Sequence, residues 1–226
     1  MRESETVFFF DVDNTLLDND YVAADLRSHI KEVLGAAAEE RYWVIFERVR
    51  HELGYADYLG ALQQFRVENI HEPQVQGISS FLLDYPFKDR LFPYALDVLA
   101  KFEKWDTTVV LSDGDVVFQP RKIERSGISA AVDSHVLVYV HKEQEIEDVE
   151  QRYPAKHYVM VDDKLRILTA MKEILAERLT TVFAKQGHYA TDPELLAHYP
   201  PADLSVERIG DLLDVDLDSL LAAATH

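Results

Sequence analysis

Four consecutive apolar residues, Val7-Phe8-Phe9-Phe10, run directly into Asp11-Val12-Asp13-Asn14-Thr15-Leu16. So short, apolar and aromatic a run reads as a strand buried on both faces, about residues 6 to 12, that delivers two carboxylates at its C-terminal end. In an open α/β sheet, that end of the strand is where ligands bind. Residues two apart on an extended chain point the same way, so Asp11 and Asp13 would repel each other unless positive charge lies between them. A divalent cation is the simplest source of that charge.

The elements downstream set the fold class. After turn signals at Asp18-Asn19-Asp20, helical periodicity fills Tyr21 to Leu34, Glu39 to Leu53, Tyr55 to Ile70 and Val75 to Leu83, with breaks at Gly35, Gly54, Pro73 and Pro86. No strand candidate interrupts them, so the pattern predicts a small helical bundle inserted after the first strand. From Phe87 onward strands and helices alternate: helix Pro93 to Trp105, strand Thr107 to Ser112, helix Val116 to Arg125, a strand within Ser134 to Val140, helix Glu143 to Tyr153, strand His157 to Val161, helix Leu165 to Arg178 and strand Thr180 to Phe183. Val206 to Leu213 reads as a further helix, and the residues beyond Asp214 receive no role. Such alternation predicts an α/β fold with a doubly wound parallel sheet.

Composition narrows the function classes. With 226 residues, 47% of them hydrophobic, the chain suits one large domain or a core with a smaller companion. It has no cysteine, which excludes disulfides, thiolate metal sites and thiol nucleophiles. A net charge of -18, from 41 acidic against 23 basic residues, speaks against nucleic acid or an anionic membrane as partner, because no neutralising basic stripe is present. A small anion can still bind where a metal and a lysine or two line the site. The polar, acidic start and the absence of any stretch long enough to span a bilayer make a cytoplasmic location the expectation.

The informative polar residues follow the strands. Strand Thr107 to Leu111 runs into Ser112-Asp113-Gly114, strand Val136 to Val140 into His141-Lys142, and strand Tyr158 to Val161 into Asp162-Asp163-Lys164. In a doubly wound sheet these ends share one edge with Asp11 and Asp13, so residues far apart in sequence converge on one crevice. Lys122 and Lys164 sit in neighbourhoods comparable to that of Lys142, which is preferred because it precedes an otherwise acidic helix. The Arg48-Val49-Arg50-His51 cluster is either a substrate anchor facing the site or, with Glu47 and Glu52 as neighbours, the wet face of a helix, and helical spacing favours the second. His141 and the Gln186-Gly187-His188-Tyr189 segment are candidates for substrate contact, although a lone histidine on a loop is more often simply exposed.

Taken in order, these motifs resemble those of the haloacid dehalogenase-like (HAD) superfamily. Its phosphatase members carry an Asp-x-Asp-x-Thr strand end, a strand ending in Ser or Thr, a lysine and a late acidic pair. The resemblance implies a Rossmann-like core of residues 1–17 and 88–226 and an all-helical C1-type cap of residues 18–87, with linkers near Leu17 to Asp20 and Tyr85 to Arg90. It implies a phosphomonoester hydrolase in which Asp11 is the nucleophile and Asp13 the acid and base. Ser112, the amide of Asp113 and the turn at Gly114 would hold the phosphoryl group, and Lys142 would supply fixed positive charge. Asp11, Asp162, Asp163 and Asp13, the last through its carbonyl, would hold Mg²⁺, with Asp163 favoured over Asp162 as the direct ligand. An all-helical cap further implies a small-molecule phosphate ester as substrate; the oligomeric state is not set by the sequence. Two alternatives stay open. One is a phosphotransferase or phosphomutase sharing the first half-reaction, the other a phosphate-responsive regulatory protein, although receiver-type switches carry their acidic pair and phosphoacceptor in a different order.

Overall fold

In the computed structural model, which describes residues 4–223, the alternation read from the sequence becomes a single parallel sheet. Its strands are β1 (Ser4–Phe10), β2 (Thr108–Asp113), β3 (Val136–Tyr139), β4 (Ala155–Asp162), β5 (Leu179–Ala184) and β6 (Leu204–Val206), in the spatial order β3-β2-β1-β4-β5-β6. Helices α1 (Asn19–Leu34), α2 (Ala36–Leu53), α3 (Tyr58–Glu68), α4 (Val75–Asp84) and α5 (Ala95–Phe102) lie between β1 and β2. Next come α6 (Phe118–Ser126) and α7 (Ile128–Ala131), then α8 (Ile146–Arg152), α9 (Leu165–Leu175), α10 (Pro193–His198) and α11 (Leu217–Ala222).

The Val-Phe-Phe-Phe run becomes the central strand because it has apolar side chains to offer both faces. Phe8 and Phe10 point one way and meet the edge of Phe102 on α5 at 5.0 and 5.1 Å between ring centroids. Val7 and Phe9 point the other way, into a layer built with Ile146 and Val149 of α8 and Ile167, Leu168 and Met171 of α9. Both layers are needed, since a parallel strand exposed on either face would leave these rings in water. Chain order reverses between β1 and its neighbours β2 and β4, which opens a crevice at the C-terminal ends of these strands.

Helices α1 to α4 pack on one another, α1 against α2 and α4, and α3 against the same two. The Asp18 side chain accepts from Tyr21 N at 2.8 Å at the start of α1, and that of Asp57 accepts from Gly60 N at 2.7 Å at the start of α3. The chain enters and leaves this insertion along two adjacent segments, joined by Asp18 N to Arg90 O at 2.8 Å and Phe92 N to Leu16 O at 2.9 Å. Arg90 braces the junction from Nη2 to Asp25 Oδ2 at 2.8 Å and from Nε to the Tyr85 hydroxyl at 2.7 Å.

The helix read into Val206 to Leu213 is not there. Its first residue closes β6, and Ile209–Leu213 forms a single 3₁₀ segment. Short apolar runs carry too few residues for their period to separate the two states. Downstream, α11 buries Leu220 against the same core, so the described residues beyond Asp214 are part of the fold. Among the described residues no helix is long and apolar enough to cross a membrane.

Candidate active site

Asp11 follows β1 by one residue, at the C-terminal end of the strand, and is 3% exposed. Lys142, just past β3 and 1% exposed, places Nζ 2.6 Å from Asp11 Oδ1 and 3.1 Å from Leu111 O. The same Nζ lies 2.7 Å from Asp162 Oδ2, an ion-pair separation without the alignment of a hydrogen bond. Burial alone would lower the Lys142 pKa, but the charges of Asp11 and Asp162 outweigh it and raise the pKa above that of an ordinary lysine. One ammonium is thus shared by the ends of β1 and β4.

Ser112, at the end of β2, lies 3.4 Å from Asp11 Oδ1 through Oγ and accepts a hydrogen bond from Gln119 Nε2 at 3.0 Å. Thr15 Oγ1 stands 3.5 Å from Asp11 Oδ2. The Asp113 carboxylate accepts from Lys142 N at 2.7 Å, and burial raises its pKa above the usual carboxylate value. The Gly114 N–H donates to Tyr139 O at 2.9 Å, and a Cβ there would meet Gln119 Cβ at 2.5 Å. The glycine therefore lets Gln119 approach and reach Ser112.

Asp163 is fully buried, and neither of its carboxylate oxygens has a hydrogen-bond partner. Burial pushes its pKa well above the ordinary carboxylate range, as it does less strongly for Asp162. Oxygens of Asp11, Asp162 and Asp163 all come within 4.8 Å of one another, an arrangement that could bind a metal ion. Two buried carboxylate oxygens without donors are costly unless a cation or proton meets them. Hard oxygen donors of this kind suit Mg²⁺ or Ca²⁺ rather than a soft metal. Asp162 is more committed, with Oδ1 accepting from Lys164 N at 2.8 Å and Oδ2 facing Lys142.

The Asp13 carboxylate lies outside that cluster. Its Oδ1 is 2.6 Å from Nζ of Lys122, which is itself 1% exposed on α6. The expected repulsion between Asp11 and Asp13 is therefore met by two lysines, one for each carboxylate. Lys122 is the residue that sequence reasoning left among its neighbours, although a signal was available. Phe118, Gln119, Lys122, Ile123 and Ser126 fall on one helical face and are all buried, so the lysine sits on the core side of α6.

A cleft of about 500 Å³ lies above Asp13, between the sheet edge and the helical insertion. Trp43, Phe46, Tyr55 and Tyr58 from the insertion and Tyr189 from the core give it an aromatic lining. Arg50 and His51 also line the cleft, so this end of the presumed wet face of α2 faces the site instead. The Arg50 guanidinium lies 5.9 Å from the Tyr189 ring centroid across the gap. His188 Nδ1 meets Asp20 Oδ1 at 2.6 Å, and Lys164 Nζ stands 5.1 Å from the Tyr189 ring. His141 packs against Gly54 of the insertion, where a Cβ would come 2.5 Å from its Cε1.

A family model for haloacid dehalogenase-like hydrolases matches residues 6–174. A solved haloacid dehalogenase-like hydrolase of Burkholderia xenovorans LB400 is 58% identical, with a TM-score of 0.91, over 94% of this chain and 99% of that one. The fold also recurs at 17% identity in a hydrolase of the same family from Xanthomonas campestris, with a TM-score of 0.69 over 99% of this chain and 94% of that one. L-2-haloacid dehalogenase of Xanthobacter autotrophicus is likewise 17% identical, with a TM-score of 0.60 over 92% and 96% of the two chains. No curated protein matches the chain in sequence. Given the family match over most of its length, the 58% identity and the ordered strand-end motifs, the chain belongs to the haloacid dehalogenase-like hydrolases.

Proposed function

We propose that this hydrolase cleaves small phosphate monoesters through an aspartyl-phosphate on Asp11. The observation that carries the reading is the second carboxylate, Asp13, which lines the cleft with its side chain 20% exposed, two residues beyond the buried Asp11. An alkoxide leaving a phosphorus centre needs a proton, and the water that follows must lose one. A halide leaving carbon needs no such acid, so this carboxylate favours phosphoryl transfer over carbon–halogen cleavage.

In the first step an oxygen of Asp11 attacks phosphorus in line, the ester P–O bond breaks, and Asp13 hands its proton to the departing oxygen. In the second, water attacks the same phosphorus and gives a proton back to Asp13. The acyl-phosphate P–O bond then breaks, releasing inorganic phosphate and restoring the Asp11 carboxylate. Lys142 holds one Asp11 oxygen in place, and Ser112, oriented by Gln119, is close enough to bond a phosphoryl oxygen. Asp11, Asp162 and Asp163, with the main-chain carbonyl of Asp13, would hold Mg²⁺, and Asp163 is the carboxylate whose two oxygens both lack a hydrogen-bond donor. When bound, the ion neutralises charge between the nucleophile and the phosphate dianion.

The helical insertion serves in this reading as a cap over the crevice, and the cleft volume suits a metabolite of modest size with some apolar surface. Phosphate release across sugar, nucleotide and small-acid monophosphates, with and without Mg²⁺, tests the assignment against halide release from 2-haloacids. Wild type is expected to release phosphate only with Mg²⁺, and Asp11→Asn to release none. Halide release without phosphate release would reverse the assignment.

A further inference from the structure

Lysine is almost never fully buried unless paired, and Lys122 is buried with two acceptors. Its Nζ lies 2.6 Å from Asp13 Oδ1 and 2.9 Å from Asn19 Oδ1, with the Phe118 ring centroid 5.1 Å away. An ammonium has only donors, so the Asn19 amide must turn its oxygen toward Lys122. That leaves Asn19 Nδ2 to donate to the Tyr58 hydroxyl at 3.2 Å. Asn19 opens α1 just past the entering linker, and Tyr58 opens α3. A continuous run of polar contacts therefore links core helix α6, the acid-base carboxylate, the linker and the helical insertion.

A buried ion pair of this kind seldom adds stability over an apolar replacement of the same shape, so its use is better sought in orientation. With Oδ1 of Asp13 taken by Lys122, Oδ2 carries no hydrogen bond among the described residues and is the oxygen left for proton exchange. We propose that Lys122 is a positioning residue for Asp13, and that Asn19 and Tyr58 make this positioning depend on the placement of the helical insertion. The inference rests on the reading of Asp13 as the acid and base. Closure of the insertion over a substrate completes the contacts to Lys122, so the proton donor is set when the leaving group is in place. With the insertion displaced, Lys122 loses its Asn19 contact and Asp13 is held by one partner that can itself shift.

Leaving-group dependence separates this role from a merely structural one. A nitrophenolate departs without a proton, whereas an alkoxide does not, so p-nitrophenyl phosphate and glycerol 2-phosphate report differently on Asp13. Lys122→Met is expected to lower kcat for glycerol 2-phosphate about 10- to 100-fold more than for p-nitrophenyl phosphate, up to the lower end of the roughly 10²- to 10⁴-fold that a positioned acid contributes, because the acid itself is kept. Lys122→Arg should recover part of that difference, because it keeps the charge and the donors. Tyr58→Phe removes only the hydroxyl, so it keeps the buried ring if Lys122→Met fails to fold. It should shift the ratio the same way, in kcat rather than KM, without lowering the melting temperature in proportion. If Lys122→Met and Tyr58→Phe reduce both activities equally, or Tyr58→Phe alters neither, the inference is overturned while phosphatase action that requires Asp11 stands. If the wild type releases phosphate from neither ester even with Mg²⁺, the proposed function falls and this inference falls with it.

Discussion

Asp11 and Asp162 share one buried ammonium, and that sharing is the tightest constraint in the site. Replacing Lys142 by Met leaves two buried carboxylates without their common cation. Loss of one partner of a buried pair costs about 3–5 kcal/mol. Removal of one positioned charge-stabilising group costs about 10²- to 10³-fold in rate. Lys142→Met is therefore expected to lose stability in urea titration and most of its kcat together, whereas an exposed lysine such as Lys88 would show neither effect. Asp20 behaves in the opposite sense. Burial would raise its pKa, but hydrogen bonds from His188 and Asn14 outweigh that and hold it below the ordinary carboxylate value. A depressed folded pKa contributes stability that is complete above the unfolded value of about 3.9 and is lost as pH falls through the folded one. Asp20→Asn should thus flatten the melting-temperature profile below about pH 4; an acid-side slope identical to that of the wild type would refute this origin. That Asp11, Ser112, Lys142 and Asp163 come together was legible in the sequence because each lies at or just past the end of an apolar strand, and strand ends share an edge. Lys122 carried a partial signal, since it shares a helical face with Phe118 and Ile123, whereas for Arg50 and His51 helical periodicity gives an angle around the axis but not what the face meets.

Elements were legible to the degree that their length exceeded one period of their pattern. The four inserted helices and β1, β2, β4 and β5 each carry several buried residues, whereas β3 has four residues that are only half-buried, β6 has three residues and the following 3₁₀ segment five. Helix starts moved by a few residues where a cap decides them. Tyr55 was expected inside α3, yet the helix begins at Tyr58 because Asp57 caps it. Gly35 and Gly54 were rightly read as breaks, and Gly54 also governs how closely the insertion meets the core. It has φ +80° at the end of α2, directly against the His141 ring. A side chain there costs about 1–2 kcal/mol for the left-handed backbone and also collides with the ring. Gly54→Ala is expected to lower the melting temperature modestly and to raise KM more than it lowers kcat, since His141 immediately precedes Lys142 and the insertion lines the cleft. Unchanged KM alongside a lowered melting temperature would show that this contact does not govern access. Asn14 shows a further link between element and site. Its φ of +61° is a conformation that Asn tolerates better than most residues, and its side chain accepts from Asn19 N and Asp20 N to fix the entering linker.

At the scale of the whole molecule, a net charge of -18 sits around a site whose lysines converge on carboxylates. That distribution repels polyanions at a distance and, in the proposed function, leaves local positive charge for a single phosphate at close range. The class of fold could be read from the alternation of elements, because a parallel sheet permits few ways of covering both its faces. The substrate could not, because the cleft is assembled from helices far apart in sequence whose facing side chains carry no common period. The central claim is that phosphoryl transfer passes through Asp11 and that Asp13 handles the protons. Mass spectrometry of Asp13→Ala, quenched during turnover of p-nitrophenyl phosphate with Mg²⁺, tests it most directly, because that substrate can phosphorylate the enzyme without an acid while hydrolysis still needs a base. The expected result is one added phosphoryl group, mapped to the peptide containing Asp11 and absent from Asp11→Asn. Phosphate release by Asp11→Asn at the wild-type rate, or nitrophenol release by wild type with no phosphoryl group trapped in Asp13→Ala, would contradict it.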